Sequence, residues 1–319
     1  MPNPAHDSRS PLHRRLALVR HRAGRLHPNV QGLLWAMLAG MLFVVLNTVL
    51  RLLTIDMSPF QVQFLRYLAA IVVMLPLVFR AGLRAYMPER IGPQFTRGAV
   101  HTLGLMLWFA ALVHMPLADT TAISFTQPVF IMLGAYLFFR EAMRWERWLS
   151  AGVSFAGVLT VVGPTLSGSG GIYTLLMLAS SPVFAASYLL TKSLTRFERV
   201  EIIVFWQAIS VSVFSLPTAL WFWQTPTPWQ WIGFLVAGLV GVAGHYSLTR
   251  AFSVADISAT QSVKFLDLVW AAGAGWLVFS DVPTRYTLFG GVMICVATVW
   301  IGFRESRGRM LPVRTAGRS

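Results

Sequence analysis

Lys264 and Asp267 stand three residues apart inside the apolar run Ile257–Phe279. On a helix that spacing puts both side chains on one face. A charge at the centre of a bilayer costs about 2.5–3.5 kcal/mol on insertion scales, so both groups should turn toward a protein interior. Two kinds of chemistry are open to them. The pair can neutralise itself and merely settle its helix among neighbours. Alternatively it lines a cavity and binds a zwitterionic or charged ligand, with Asp267 able to take up a proton as the cavity opens.

Gln127 occupies the matching depth of another apolar run, Ala118–Phe139, and Pro128 follows it. Proline removes a backbone donor and frees the carbonyl four residues back, that of Ser124. Inside a membrane such a carbonyl finds another partner or lines a wet cavity. Ser124, Thr126 and Gln127 are therefore candidates to present polar atoms to a ligand, the alternative being a packed kink with local hydroxyl bonds. Pro182 interrupts a later run in the same way.

Arg66 lies about two turns into the run Phe60–Phe79. It either snorkels toward headgroups or offers a cation to an anionic ligand or an inward acid. Asn47 and His245 fall within runs of their own, where each can hydrogen-bond a ligand or another helix. His101, nearer a span end, is a weaker candidate. Trp108, Phe109 and Tyr246 are of the right type to stack on a planar ligand, though aromatic residues at helical spacing ordinarily pack. Asp119 and Asp256 begin apolar runs, where a carboxylate complements the helix dipole. Glu141 and Asp281 close them, at the two interfaces.

No P-loop, HExxH, GxSxG or paired CxxC occurs, so nucleotide-driven action is not expected, and neither a catalytic residue, a metal ligand nor a cofactor is assigned. Cys295 is the only cysteine, which excludes an internal disulfide and a thiolate metal cluster. The first 30 residues are Arg-rich and lack an apolar signal core. They read as a disordered cytoplasmic tail, with an organellar transit peptide as the alternative.

The elements that must position these groups are membrane spans. Charged residues make up 12% of the chain and hydrophobic ones 55%, with mean hydropathy +0.62, whereas a soluble domain carries about 25% charged residues. Ten apolar runs approach the 20 or so residues needed to cross a bilayer: Gly32–Leu52, Phe60–Phe79, Thr96–Met115, Ala118–Phe139, Trp145–Gly163, Ile172–Thr191, Ile202–Trp223, Trp229–Phe252, Ile257–Phe279 and Tyr286–Phe303. A tight turn at Met115-Pro116-Leu117 is expected between the third and fourth. The net charge of +14 is topological. With the N-terminus in the cytoplasm, every Lys and Arg except Arg51, Arg66, Lys264 and Arg285 falls in a cytoplasmic tail or loop, Arg97, Arg144 and Arg147 among them. That fixes both termini inside and a multi-pass protein of the cytoplasmic (inner) membrane. Trp221, Trp223, Trp229 and Trp231 bracket an outer loop as an interfacial belt. The partners expected are a small-molecule substrate, the lipid bilayer and, as a candidate, a coupling proton. No nucleic acid is expected.

The chain also repeats itself. An offset of about 140 residues brings Gln127–Glu141 onto Asp267–Asp281 and Leu38-Ala39-Gly40 onto Leu178-Ala179-Ser180. Near offsets align Leu75-Pro76 with Leu216-Pro217 and Ala118-Asp119 with Ala255-Asp256. Five spans per copy is an odd number, so the second copy enters the membrane from the opposite side. Inverted repeats are an architecture of secondary transporters, with substrate bound near the midplane between the halves. The expected fold is an all-α integral membrane protein of ten helices: a basic tail 1–31, a first repeat 32–163, a second repeat 164–303 and a basic tail 304–319. A membrane-embedded enzyme or a channel is the alternative.

Phe64-Leu-Arg66-Tyr with Leu75-Pro76, Pro116-Leu-Ala-Asp119 leading to Phe125-Thr-Gln-Pro128, Arg140-Glu141, Gly152 to Gly163, Trp276-Leu-Val-Phe-Ser-Asp281 and Gly290-Gly291 resemble, in that order, the drug/metabolite transporter superfamily with two consecutive EamA domains. The resemblance covers about residues 32 to 303. It implies a ten-helix bundle with a central cavity and gradient-driven movement, by export or uptake, of small organic solutes such as amino acids, nucleotide-related metabolites or vitamins. Arg66 falls where that family often carries arginine. Leu268 stands where the first copy has Pro128, and the Lys264/Asp267 pair is not a family signature.

Overall fold

Proline opens four of the helices. Pro28, Pro59, Pro128 and Pro228 stand in first turns, where the missing N–H has no intrahelical partner to lose. The computed structural model describes residues 27–112, 114, 123–142, 144–165, 171–279 and 284–307. Residues 1–26 and 308–319 of the basic tails, the expected turn Met115-Pro116-Leu117, Asp119 and Asp281 lie outside the described residues. The described helices are α1 (Pro28–Leu53), α2 (Pro59–Ala81), α3 (Ile91–Leu112), α4 (Gln127–Phe139), α5 (Trp145–Val162), α6 (Ile172–Leu194), α7 (Val200–Trp221), α8 (Pro228–Val254), α9 (Ile257–Lys264), α10 (Leu266–Phe279) and α11 (Arg285–Arg307). There is no strand among the described residues.

Local chemistry sets the ends that matter for the site. Thr227 and Gln230 form a reciprocal capping box before α8. Arg140 ends α4 in the left-handed region at φ 54°, and the N–H groups of Arg140 and Glu141 return to the carbonyls of Tyr136 and Ala135. That ending turns Glu141 toward α9.

Six described helices are long and apolar enough to cross a membrane: α1, α2, α6, α7, α8 and α11. With 26 residues, α1 is about 39 Å long, ample for a hydrocarbon core of about 30 Å. Its exposed residues Leu34, Leu38, Met41, Val45 and Leu52 make an apolar stripe of the kind lipid requires. The run Ile257–Phe279, expected as one helix, is instead two, α9 and α10, meeting at Phe265.

Helices of the first half pack on helices of the second. The closest pairs are α1 with α8, α5 with α11, α3 with α6 and α2 with α7. Replacing each helix by its counterpart at the 140-residue offset maps this set of pairs onto itself. Two glycines permit the α5–α11 crossing: a Cβ on Gly290 would stand 2.4 Å from the Gly157 carbonyl oxygen.

Candidate functional site

Both halves break a helix at the same repeat position. In the first, Ile123 and Ser124 are helical, Phe125 and Thr126 form a turn, and α4 starts at Gln127. In the second the break falls at Phe265, 140 residues on. The two phenylalanine rings stack on each other, centroids 5.5 Å apart and planes 15° from parallel. The carbonyl answered by hydroxyls at the first break is that of Ile123, one residue from the Ser124 carbonyl expected. Thr126 donates to it at 2.6 Å, and Ser181, beside Pro182 of α6, reaches it at 3.4 Å. Local hydroxyl bonding, the packed-kink alternative, is therefore present. Gln127 keeps a buried amide nitrogen with no partner among the described residues.

Lys264 and Asp267 flank the second break and form an ion pair. The Asp267 carboxylate lies against the backbone of α1: a Cβ on Gly40 would come within 2.2 Å of its Oδ1. The Lys264 amine lies 5.6 Å from the centroid of Phe43. Gly40, Phe43, Tyr188, Gln261 and Lys264 line a cavity between α1, α6, α8 and α9, with about 20 Å³ for the centres of water-sized spheres. That is room for about a single water and far too little for a metabolite. Asn47 shares the helix face of Ala36, Gly40 and Phe43, roughly half a turn from the apolar stripe, yet it is exposed.

A second polar group lies deeper. The Tyr67 hydroxyl is 3.2 Å from His101 Nε2, 3.3 Å from His245 Nε2 and 3.4 Å from the Gln207 amide nitrogen. Arg97 donates to Gln207 Oε1 at 2.6 Å, to the Ile203 carbonyl at 3.2 Å and to Thr191. An arginine only donates, so it fixes the Gln207 amide with its NH₂ toward Tyr67. The hydroxyl then has one proton and one lone pair left for two imidazoles. When both rings are neutral, one must accept and the other donate. His101 Nδ1 meets Ser187 Oγ at 3.1 Å. Phe43 stands edge-on to His245 at 5.0 Å, so this web adjoins the Lys264 cavity.

Of the residues singled out in the sequence, Lys264 and Asp267 come together, and His245 lies close by. Tyr246 packs edge-on against Trp35 at 6.2 Å. Trp108 lies elsewhere, among Ala111, Met177 and Tyr173. Arg97, counted among the cytoplasmic charges, is 2% exposed in the second turn of α3. It donates to three neutral acceptors, one on α6 and two on α7. Tyr67 and Gln207 do not stand out by residue type, although they match at the 140-residue offset.

The bundle end carrying Asn29, Glu141 and Glu305 is tied shut. Glu305, fully buried, accepts from Asn29 at 2.8 Å, Arg147 at 2.9 Å and Arg144 at 3.1 Å. Arg147 also holds Asp256 at 2.8 Å and Ser258 at 2.7 Å. Asp256 stands at the N-cap of α9 but makes no cap bond; Glu141 does the capping, accepting from the N–H groups of Ile257 and Ser258 at 2.9 and 3.0 Å. First-half residues thus grip the start of α9 in the second half.

Against known proteins, the model of the EamA-like transporter family matches residues 30–163 and 171–303. The chain belongs to that family. This EamA chain is 34% identical over 287 residues to the riboflavin transporter of Rhizobium johnstonii, covering 89% of this chain and 94% of the relative. It is 31% identical to the S-adenosylmethionine uptake transporter of Rickettsia felis, over 78% of this chain and 84% of that one. It is also 31% identical to the pseudopaline exporter of Pseudomonas aeruginosa, over 84% and 94%. A crystal structure at 15% identity superposes with TM-score 0.75, covering 86% of this chain and 97% of the other, and shares the fold. The EamA chain is a multi-pass membrane transporter of small metabolites. These relatives are named as transporters, not as enzymes.

Proposed function

We propose that this EamA chain is a gradient-driven carrier working by alternating access, with the solute bound at the Lys264–Asp267 cavity. The observation that carries the reading is the pair of helices broken at matching positions, their phenylalanines stacked, with an ion pair and a nearly closed cavity at one break. Broken helices at the repeat interface free backbone groups for a ligand at mid-membrane depth, where a carrier needs them. The self-mapping helix pairs support two inverted repeats of five spans, residues 32–163 and 164–303, flanked by the basic tails 1–31 and 304–319.

The charge distribution supports both termini on the cytoplasmic side of the inner membrane. On that orientation the Glu305–Arg147 cluster is the closed cytoplasmic end, and the space beside Asn47 leads outward. Phe43, Tyr188 and the ion pair suit a polar or zwitterionic solute with an aromatic part, such as an amino acid, a nucleotide-related metabolite or a vitamin. The names of the riboflavin and S-adenosylmethionine relatives fit that class. Asp267 and Lys264 contact the solute; Gln127 and Ser124 line the opposite break; Asn47, His245 and Tyr246 lie along the path, with Arg66 beyond. Trp108 contributes packing. A gradient of the solute itself, or of a proton taken up at Asp267, drives the cycle. Uptake by liposomes holding the purified chain tests this: saturation with solute is expected, and flux strictly proportional to concentration contradicts it.

A further inference from the structure

We infer that Gln63 and Arg66 form an anion-binding subsite that takes a carboxylate of the transported solute, an inference that rests on the carrier reading above. The two residues lie three apart on α2, 4% and 7% exposed. Arg66 donates its Nε to Gln63 Oε1 at 3.4 Å, and its terminal NH groups meet no acceptor among the described residues. The Gln63 amide nitrogen is likewise buried without a partner. Both groups therefore present donors alone. The Gln63 donor, buried and unmatched, is costly, and a carboxylate is the ligand that answers it and the Arg66 NH groups at once, with about four lone-pair sites and a geometry that meets a guanidinium bidentately.

Charge balance points the same way. Neither Arg66 nor Arg97 has a carboxylate within ion-pair distance among the described residues, while Asp267 is engaged by Lys264. A ligand with no anionic group would leave Arg66 without a local counter-charge, and an uncompensated buried charge is unfavourable. The guanidinium is held in place rather than snorkelling: it lies 4.2 Å over the Tyr67 ring, a cation–π contact that fixes its plane. Gly241 of α8 passes close by, where a Cβ would stand 3.8 Å from Arg66 NH1. Phe43 and His245 carry an aromatic stripe from this subsite to Lys264 and Asp267. A zwitterion with an aromatic body fits the whole, its carboxylate at Arg66 and its cation at Asp267.

Melting of the purified full chain in detergent tests the subsite with indole-3-acetate, the uncharged indole-3-acetamide, chloride and inorganic phosphate as probes. The acid should raise the melting temperature and bind roughly tenfold or more tighter than the amide, the worth of one charge-assisted hydrogen bond. Arg66→Gln should erase the difference, and Arg66→Lys should keep part of it. Equal shifts from acid and amide, no shift from either, or a preference that survives Arg66→Gln would each overturn the subsite. Stabilisation by chloride or phosphate as large as by the acid would assign it to an inorganic ion and refute the solute carboxylate. If Arg66→Gln fails to accumulate, Gln63→Leu decides: it should weaken the acid and spare the amide, and equal binding of the acid by this variant and the wild type refutes the proposal. None of these results touches solute flux, on which the carrier reading stands or falls separately.

Discussion

Glu305→Gln should unlatch the charged end of the bundle. Glu305 is fully buried and accepts three donors, two of them guanidinium groups at 2.9 and 3.1 Å. Glutamine keeps the volume but removes the charge, and its NH₂ faces donors that need an acceptor. Arg147, itself 2% exposed, keeps Asp256, whose side chain is 47% exposed and so a weaker counter-charge. Breaking a buried pair on one side costs about 3–5 kcal/mol. With Asp256 in place we take the low end, about 3 kcal/mol. The loss falls on the closed form alone, because opening lets water reach Arg147 and Arg144. At 1.4 kcal/mol per decade, the closed-to-open ratio should fall about a hundredfold. A cysteine at Gln261, in a Cys295→Ser background, reports it through labelling by a membrane-impermeant maleimide in inside-out vesicles. Labelling should accelerate by up to that factor. An unchanged rate, or a lower melting temperature with no faster labelling, would show that the cluster is a structural clasp and not a gate.

Three further outcomes are expected. Gly40→Ala should depress transport and stability together despite alanine's better helix propensity, because its Cβ would sit 2.2 Å from Asp267 Oδ1; unchanged flux would mean that the carboxylate need not rest against α1. Lys264→Ala should reduce folded protein, and adding Asp267→Asn should restore part of it; a double variant that accumulates no better than the single one refutes mutual neutralisation. Gln207→Leu should lower stability by about 1–3 kcal/mol, since it strips a buried guanidinium of an acceptor and Tyr67 of a donor, and denaturant unfolding in mixed micelles within error of wild type would count against the web.

Much of this was legible in the residues. The apolar runs and the 140-residue offset imply the helical membrane bundle, and Pro128 marks the first break because proline leaves a helix no donor. The second break was not readable, since Phe265 carries neither proline nor glycine; only its repeat-mate Phe125 could have pointed to it. Lys264 and Asp267 stood out because charges are rare in apolar runs. Arg97 and Arg147 did not, because near a span end an arginine turned into the bundle looks the same in sequence as one marking the cytoplasmic side. Tyr67 and Gln207 were hidden for another reason: a tyrosine or amide in a span is unremarkable until its partners, more than 30 residues away along the chain, are brought to it.

Counterflow tests the central claim most directly. Liposomes holding the purified chain are loaded with an unlabelled solute from a panel that includes riboflavin, S-adenosylmethionine and amino acids, and uptake of the labelled form is followed beside an Asp267→Asn control at equal density. The carrier account predicts saturable uptake that preloading accelerates, and a marked loss in the Asp267→Asn protein. Uptake that ignores preloading, no saturable uptake of any solute in the panel, or full activity of the variant would contradict it.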